Sequence, residues 1–273
     1  MNTPQRILAF LTCGLGLALA LLAMAGCSVK PLRLQVPEDL AQTSTALSVT
    51  GRNGWRPDRQ SLRFGDFSTG PRQNQQQVRA ARCEPGCTGI EIGVYAWRVE
   101  EGFRTAKQKL SFTQRGPAQA EALVLALYEL NVQESRLLLR VMAVEVQTIT
   151  RQTRRAAFAG TVQPKQPDEQ GWRFAIWFPD QLQTGVPDIG FIQSDAGQRI
   201  TIRHLSGWEG QPRGNKIALK MGLPMGFAFE LDGVTVGAVS TFGDGEVWLR
   251  NDLAPSVRLA LASLCSAVLA RTT

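Results

Sequence analysis

The run Gly226–Leu231, then Asp232-Gly233, then Val234–Ser240 constrains this chain more than any other stretch. An Asp-Gly pair between two apolar runs is the strongest short-range signal for a β-hairpin, because the tightest turn needs positive φ at both central residues. Asp244-Gly245 ahead of Val247–Arg250 repeats the device. Phe191–Ser194 and Arg199–Arg203 flank Asp195-Ala196-Gly197, and Ala156–Gln163 and Trp172–Phe178 flank a loop containing Pro and Asp. Both read as hairpins. Further strands are expected at Ala46–Arg52, Ser61–Phe67, Gly89–Val99 and Leu110–Gln114. No solenoid or propeller period is present, so the pattern predicts a meandering antiparallel sheet and not βαβ units.

Two segments resist a single period. Ala118–Asn131 places Ala120, Leu123, Val124 and Leu127 at helical spacing, while Leu123, Leu125 and Leu127 also alternate. Leu137–Thr150 is rich in Val and Ile and reads as one strand with apolar residues on both faces. The C-terminus is clearer. Pro255 suits a first helical turn, and Val257, Leu261, Leu264, Cys265, Val268 and Leu269 cover one wide face. The expected fold is mainly β, of the α+β class, with a helix at about 254–270 packed on the sheet.

The N-terminus sets the compartment. Arg6 is the only charge in the first 26 residues and precedes an apolar segment, Ile7 to Ala23. That arrangement is a secretory signal. Leu22-Ala23-Met24-Ala25-Gly26-Cys27 resembles the lipobox of bacterial lipoproteins, with Met24 in place of the usual Leu. The resemblance implies cleavage before Cys27 and acylation of its thiol. It also implies that Ser28, where Asp would retain the protein at the inner membrane, directs export to the outer membrane. Cleavage after Ala23-Met24-Ala25, leaving Cys27 unmodified, and an uncleaved anchor are the alternatives. On this reading residues 1–26 are the signal, 27–45 a tether with Pro31 and Pro37, and 46–273 a periplasmic domain. The acyl chains would attach it to a membrane in a Gram-negative envelope.

A composition of 44% hydrophobic and 19% charged residues is that of a globular domain. The net charge of +7 falls to +6 once Arg6 is removed. Residues 51–115 hold 12 Lys and Arg against 6 Asp and Glu, whereas 116–273 hold 15 of each. Export excludes nucleic acid as a partner, so the basic region points to an anionic envelope component or to a solvated surface. Arg72, Arg79 and Arg82 flank Asn74–Gln77, which reads as a Gln-rich loop, and are the candidate anion-binding residues.

Cys83-Glu84-Pro85-Gly86-Cys87 is a tight turn suited to a local disulfide, with Cys265 left buried and reduced. The spacing is neither redox C-x-x-C nor part of a zinc site, and no cofactor motif is present. The single His204 reads as a structural hydrogen-bonder. Glu100 and Glu101 are adjacent and would face opposite ways in a strand; Arg151, Arg154 and Arg155 read as a solvated strand end. Trp172 and Trp177 fall on opposite faces of a strand, one in the core and one exposed. No catalytic residue is assigned. The expected function is a non-enzymatic binding or assembly role in the envelope. The alternatives are a cell-wall glycan hydrolase using a carboxylate pair and a carrier of lipid or another apolar ligand.

Overall fold

The computed structural model describes residues 33–52, 61–82, 88–92, 95–141, 144–178, 189–205 and 226–271. Fourteen strands form one antiparallel sheet. They are β1 Ser44–Ser48, β2 Arg63–Phe64, β3 Phe67–Thr69, β4 Gln73–Arg82, β5 Thr88–Ile92, β6 Tyr95–Arg115 and β7 Glu121–Val141. There follow β8 Val144–Pro164, β9 Trp172–Trp177, β10 Gly190–Ser194, β11 Arg199–Leu205, β12 Gly226–Leu231, β13 Val234–Ser240 and β14 Glu246–Arg250. Among the described residues two α-helices accompany them, α1 Glu38–Thr43 and α2 Pro255–Ala270. The mainly β architecture with a C-terminal helix is the one the hairpin signals predict.

The turn chemistry acts as expected where Asp232 and Gly233 join β12 to β13, since both carry positive φ, 51° and 79°. Sheet order runs β1-β14-β13-β12-β11-β10-β9-β8-β7-β6-β3-β2. Its two ends meet: the Thr50 amide donates to the Arg63 carbonyl at 2.9 Å, and the Arg63 amide donates back at 3.0 Å. The sheet therefore curls into a nearly closed barrel. On the β6 edge, β3, β4 and β5 pair in succession along one long strand.

Alternate residues of each strand line the interior. In β9, Trp172, Phe174 and Ile176 are buried while Arg173 and Trp177 are exposed. Trp172 is thus the core tryptophan and Trp177 the surface one, as the strand period requires.

Helix α2 departs from the expectation of one apolar face laid on the sheet. Every residue from Leu259 to Ala270 is buried, so all of its faces are covered. A helix enclosed all round must be apolar or small all round. Ala260, Ala262, Ala267 and Ala270 meet that need, and the Ser263 hydroxyl is satisfied by donating to the Leu259 carbonyl at 2.8 Å. A Cβ added at Gly116 would meet Leu259, and one at Gly245 would meet Leu269, which places the two ends of α2 against opposite ends of the wall. The helix fills the barrel.

Other local readings are corrected. Asn74–Gln77 lies within strand β4, not in a loop, because its backbone pairs residue by residue with Leu110–Lys107 of β6. Ala118–Asn131 resolves as a short 3-10 turn and the start of β7. Leu137–Thr150 is the end of one strand and the start of the next. The stretch read as a tether is ordered from Arg33: Leu34 and Leu40 are buried with Ala238 and Trp248 in a small second cluster.

Strands β6, β7 and β8 have 21 residues each, about 70 Å at the usual rise. β9 stops at Trp177, opposite Ala157, while β11 stops at Leu205 and β13 at Ser240. Among the described residues, the long strands continue past that rim with β4 and β5 beside them. A β-bulge at Asn131/Val132 marks the departure.

A candidate binding groove on the outer wall

The outer face of β7 is apolar where solvent would normally select polar residues. Leu123, Leu125 and Leu127 of β7 keep 39%, 45% and 40% of their surface exposed. Their inward neighbours Ala122, Val124 and Ala126 are buried, so the alternation is that of a strand with two apolar faces. Cross-strand register extends the outer face into rows. One row runs Gln75, Lys109, Leu127, Ala159, Ala175, Phe191. The next runs Ser111, Leu125, Thr161, Arg173. The half-exposed Trp177 packs on Phe191 with centroids 5.9 Å apart, and the Arg199 guanidinium lies 4.4 Å above that ring.

A groove of about 560 Å³ opens on this wall, its floor made by Leu125, Leu127 and Ala159 and its rim by Gln73, Gln75 and Lys109. Gly160 shapes it. A Cβ there would stand 2.3 Å from the Leu125 carbonyl oxygen and 2.6 Å from the Phe174 ring, so only glycine lets β7, β8 and the core ring approach this closely. Exposed cations, Lys109, Arg173 and Arg199, border the apolar rows. Glu129, one row beyond Leu127, is engaged by Lys107 at 3.5 Å.

Of the three candidate arginines, one has a described side chain. Arg72 precedes β4 and is buried to 5% exposure. Arg79 and Arg82 are on β4, opposite Thr105 and Gly102 of β6. Their side chains, and those of Glu100, Glu101, Arg151, Arg154 and Arg155, lie outside what the structure describes, as do residues Cys27, Ser28, Cys83 and Cys87.

His204, on β11, is corrected from hydrogen-bonder to packing residue. Both ring nitrogens are shielded from solvent without a hydrogen-bond partner, and the ring lies 5.5 Å from Phe227. Burial first, and the Arg271 charge second, push its pKa down to about 4, so it is neutral at pH 7. Arg271, the residue after α2, stacks over Phe178 at 4.2 Å and Tyr128 at 5.1 Å.

Among the described residues, no group of three or more His, Cys, Asp and Glu could hold a metal ion. Among the described carboxylates, Glu121 and Asp252 are shifted down. Hydrogen bonds from Lys165 and Arg115 act on the first and from Arg250 on the second. A general acid needs the opposite shift. The exposed leucines were visible in sequence only as an ambiguous alternation, because the Leu127 row is completed by five other strands. No protein-family model matches the chain, and neither a curated protein nor a solved structure is significantly similar to it.

Proposed function

We propose that this protein is a non-enzymatic, lipid-anchored outer-membrane lipoprotein that faces the periplasm and binds an anionic amphiphilic envelope component on the outer wall of its barrel. The observation that carries this reading is the placement of α2. The chain's own helix occupies the space where a carrier of this architecture would hold an apolar ligand. Ligand contact therefore falls to the outer surface, and the groove over Leu125 and Leu127 is its shaped apolar part. Lys109 and Arg173 supply positive charge beside it, which suits a ligand with an apolar body and an anionic group.

A photo-crosslinking residue at position 127, in cells making the full chain, should yield an adduct with a lipid or lipopolysaccharide. Leu125→Asp or Lys109→Glu should reduce its yield severalfold. Absence of an adduct, or one indifferent to both substitutions, overturns the groove as a binding site. A fatty-acid probe incorporated by the wild type and lost in Cys27→Ala tests the anchor separately.

A further inference from the structure

Arg33 pairs with Glu246, Arg115 with Glu121, Arg203 with Glu230 and Arg250 with Asp252. Arg271 has no acid beside it among the described residues. It follows the last turn of α2, where its amide donates to the Ala267 carbonyl at 3.2 Å and the Val268 carbonyl at 3.3 Å. Its guanidinium lies 4.2 Å above the ring of Phe178, the residue after β9, which places it at the rim of the barrel. The Tyr128 ring, turned 84° from that of Phe178, is 5.1 Å away.

An arginine keeps its charge when it is buried, so burial requires compensation. Two ring faces and the carbonyl end of α2 supply part of it. They leave the hydrogen-bond donors unused. Nε is shielded from solvent without a partner, and the remaining donors of this partly exposed side chain have no acceptor among the described residues.

The charged and titratable groups around the guanidinium are Arg52, Tyr128 and His204. None of them brings a negative charge at pH 7. Arg52 opposes it with a second positive charge, and the acid that acts on Arg52 is Asp244, which does not act on Arg271. The His204 ring packs on Phe227 at 5.5 Å, and Phe227 packs on Phe178 at 6.2 Å. Both nitrogens of His204 are shielded and unpartnered as well. A cation, an imidazole and three rings converge on one rim, and no anion joins them among the described residues.

The edge of a guanidinium takes a phosphate or carboxylate through two parallel N–H···O bonds, which a low-dielectric surround strengthens. Rings packed on its face hold the plane in one orientation and leave the edge for a ligand. Neutralising the end of a helix needs only the charge, not this fork.

We propose that Arg271 anchors an oxyanion site at this rim, where the edge of its guanidinium takes the phosphate or carboxylate group of a ligand beside the rings of Tyr128, Phe178 and Phe227. The site is apart from the groove on the outer wall and rests on neither that groove nor an anchor at Cys27. His204 senses the site and is not a ligand in it, since its proton affinity answers to the Arg271 charge.

The test reads the imidazole of His204, the single histidine of the chain, by NMR in the full-length protein held in neutral detergent. Inorganic phosphate, acetate and a short-chain phosphatidic acid are added in turn at constant ionic strength. The Arg271 charge helps to hold the His204 pKa down to about 4. An anion on the guanidinium should raise that pKa by about one unit, and the rise should saturate. Arg271→Lys keeps the charge and loses the fork, so it should leave the pKa of the free protein in place and weaken binding severalfold. Arg271→Gln should raise the free pKa and abolish the response. A response to phosphate or acetate supports a small anion as the ligand, and a response to phosphatidic acid alone supports a lipid headgroup. A His204 indifferent to all three probes, or a response that both variants retain in full, overturns the proposal and leaves Arg271 as the cation that closes the end of α2.

Discussion

The ring of Phe174 rests on the bare backbone of Gly160, so close that a Cβ at 160 would stand 2.6 Å from its Cζ. The same Cβ would stand 2.3 Å from the Leu125 carbonyl oxygen. One contact joins the filled core to the floor of the outer groove. Gly160→Ala should cost about 1–3 kcal/mol, the usual range for overpacking. Urea unfolding measures it; a loss under 0.5 kcal/mol would mean that the wall relaxes freely at this point.

Arg52 anchors the stretch beside the seam of the barrel to the β13–β14 turn. Its Nη1 donates to the Thr241 carbonyl at 2.7 Å and the Gly243 carbonyl at 2.8 Å, joining the stretch after β1 to the β13–β14 turn. Arg52→Ala should remove about 1.5–3 kcal/mol, the range for hydrogen bonds to a charged group. Amide exchange at Thr50 and Arg63 should speed up, since their paired bonds close the sheet. Unchanged exchange there would assign closure to the core alone.

His204 should make stability depend on pH. Its folded pKa of about 4 lies below the ordinary value of 6.5, so the unfolded chain takes up a proton that the folded chain resists. Stability is complete above pH 6.5, falls as pH drops towards 4 and levels off below that. Discounted for partial exposure, the loss between pH 7 and pH 5 should be about 1–2 kcal/mol. His204→Gln should remove that increment from denaturation curves measured at the two pH values. An equal slope in both proteins would place the titration elsewhere.

Cys265 is fully buried in α2, and burial raises its thiol well above the ordinary range. It should resist alkylation at pH 8 in the folded protein and react promptly in denaturant, with peptide mass mapping as the readout. Rapid labelling under native conditions would show that α2 leaves the barrel.

The sequence by itself determined what depends on neighbouring residues. Asp232-Gly233 dictated a tight hairpin because both positions need positive φ. Pro255 and the apolar run after it dictated a helix. The strand period dictated that Trp172 and Trp177 part company. Only the tertiary structure decided what depends on pairing between distant strands. Closure of the sheet through Thr50 and Arg63 turned α2 from a helix with one packed face into one buried on every face. Pairing with β6 turned Asn74–Gln77 from loop into strand. Leu123, Leu125 and Leu127 alternate in any reading, but only the register shows that their row continues through Ala159 and Ala175 to Phe191. Local periodicity tells a residue which side of its own strand it occupies. Whether that side meets the core or solvent is set by what the other strands bring beside it.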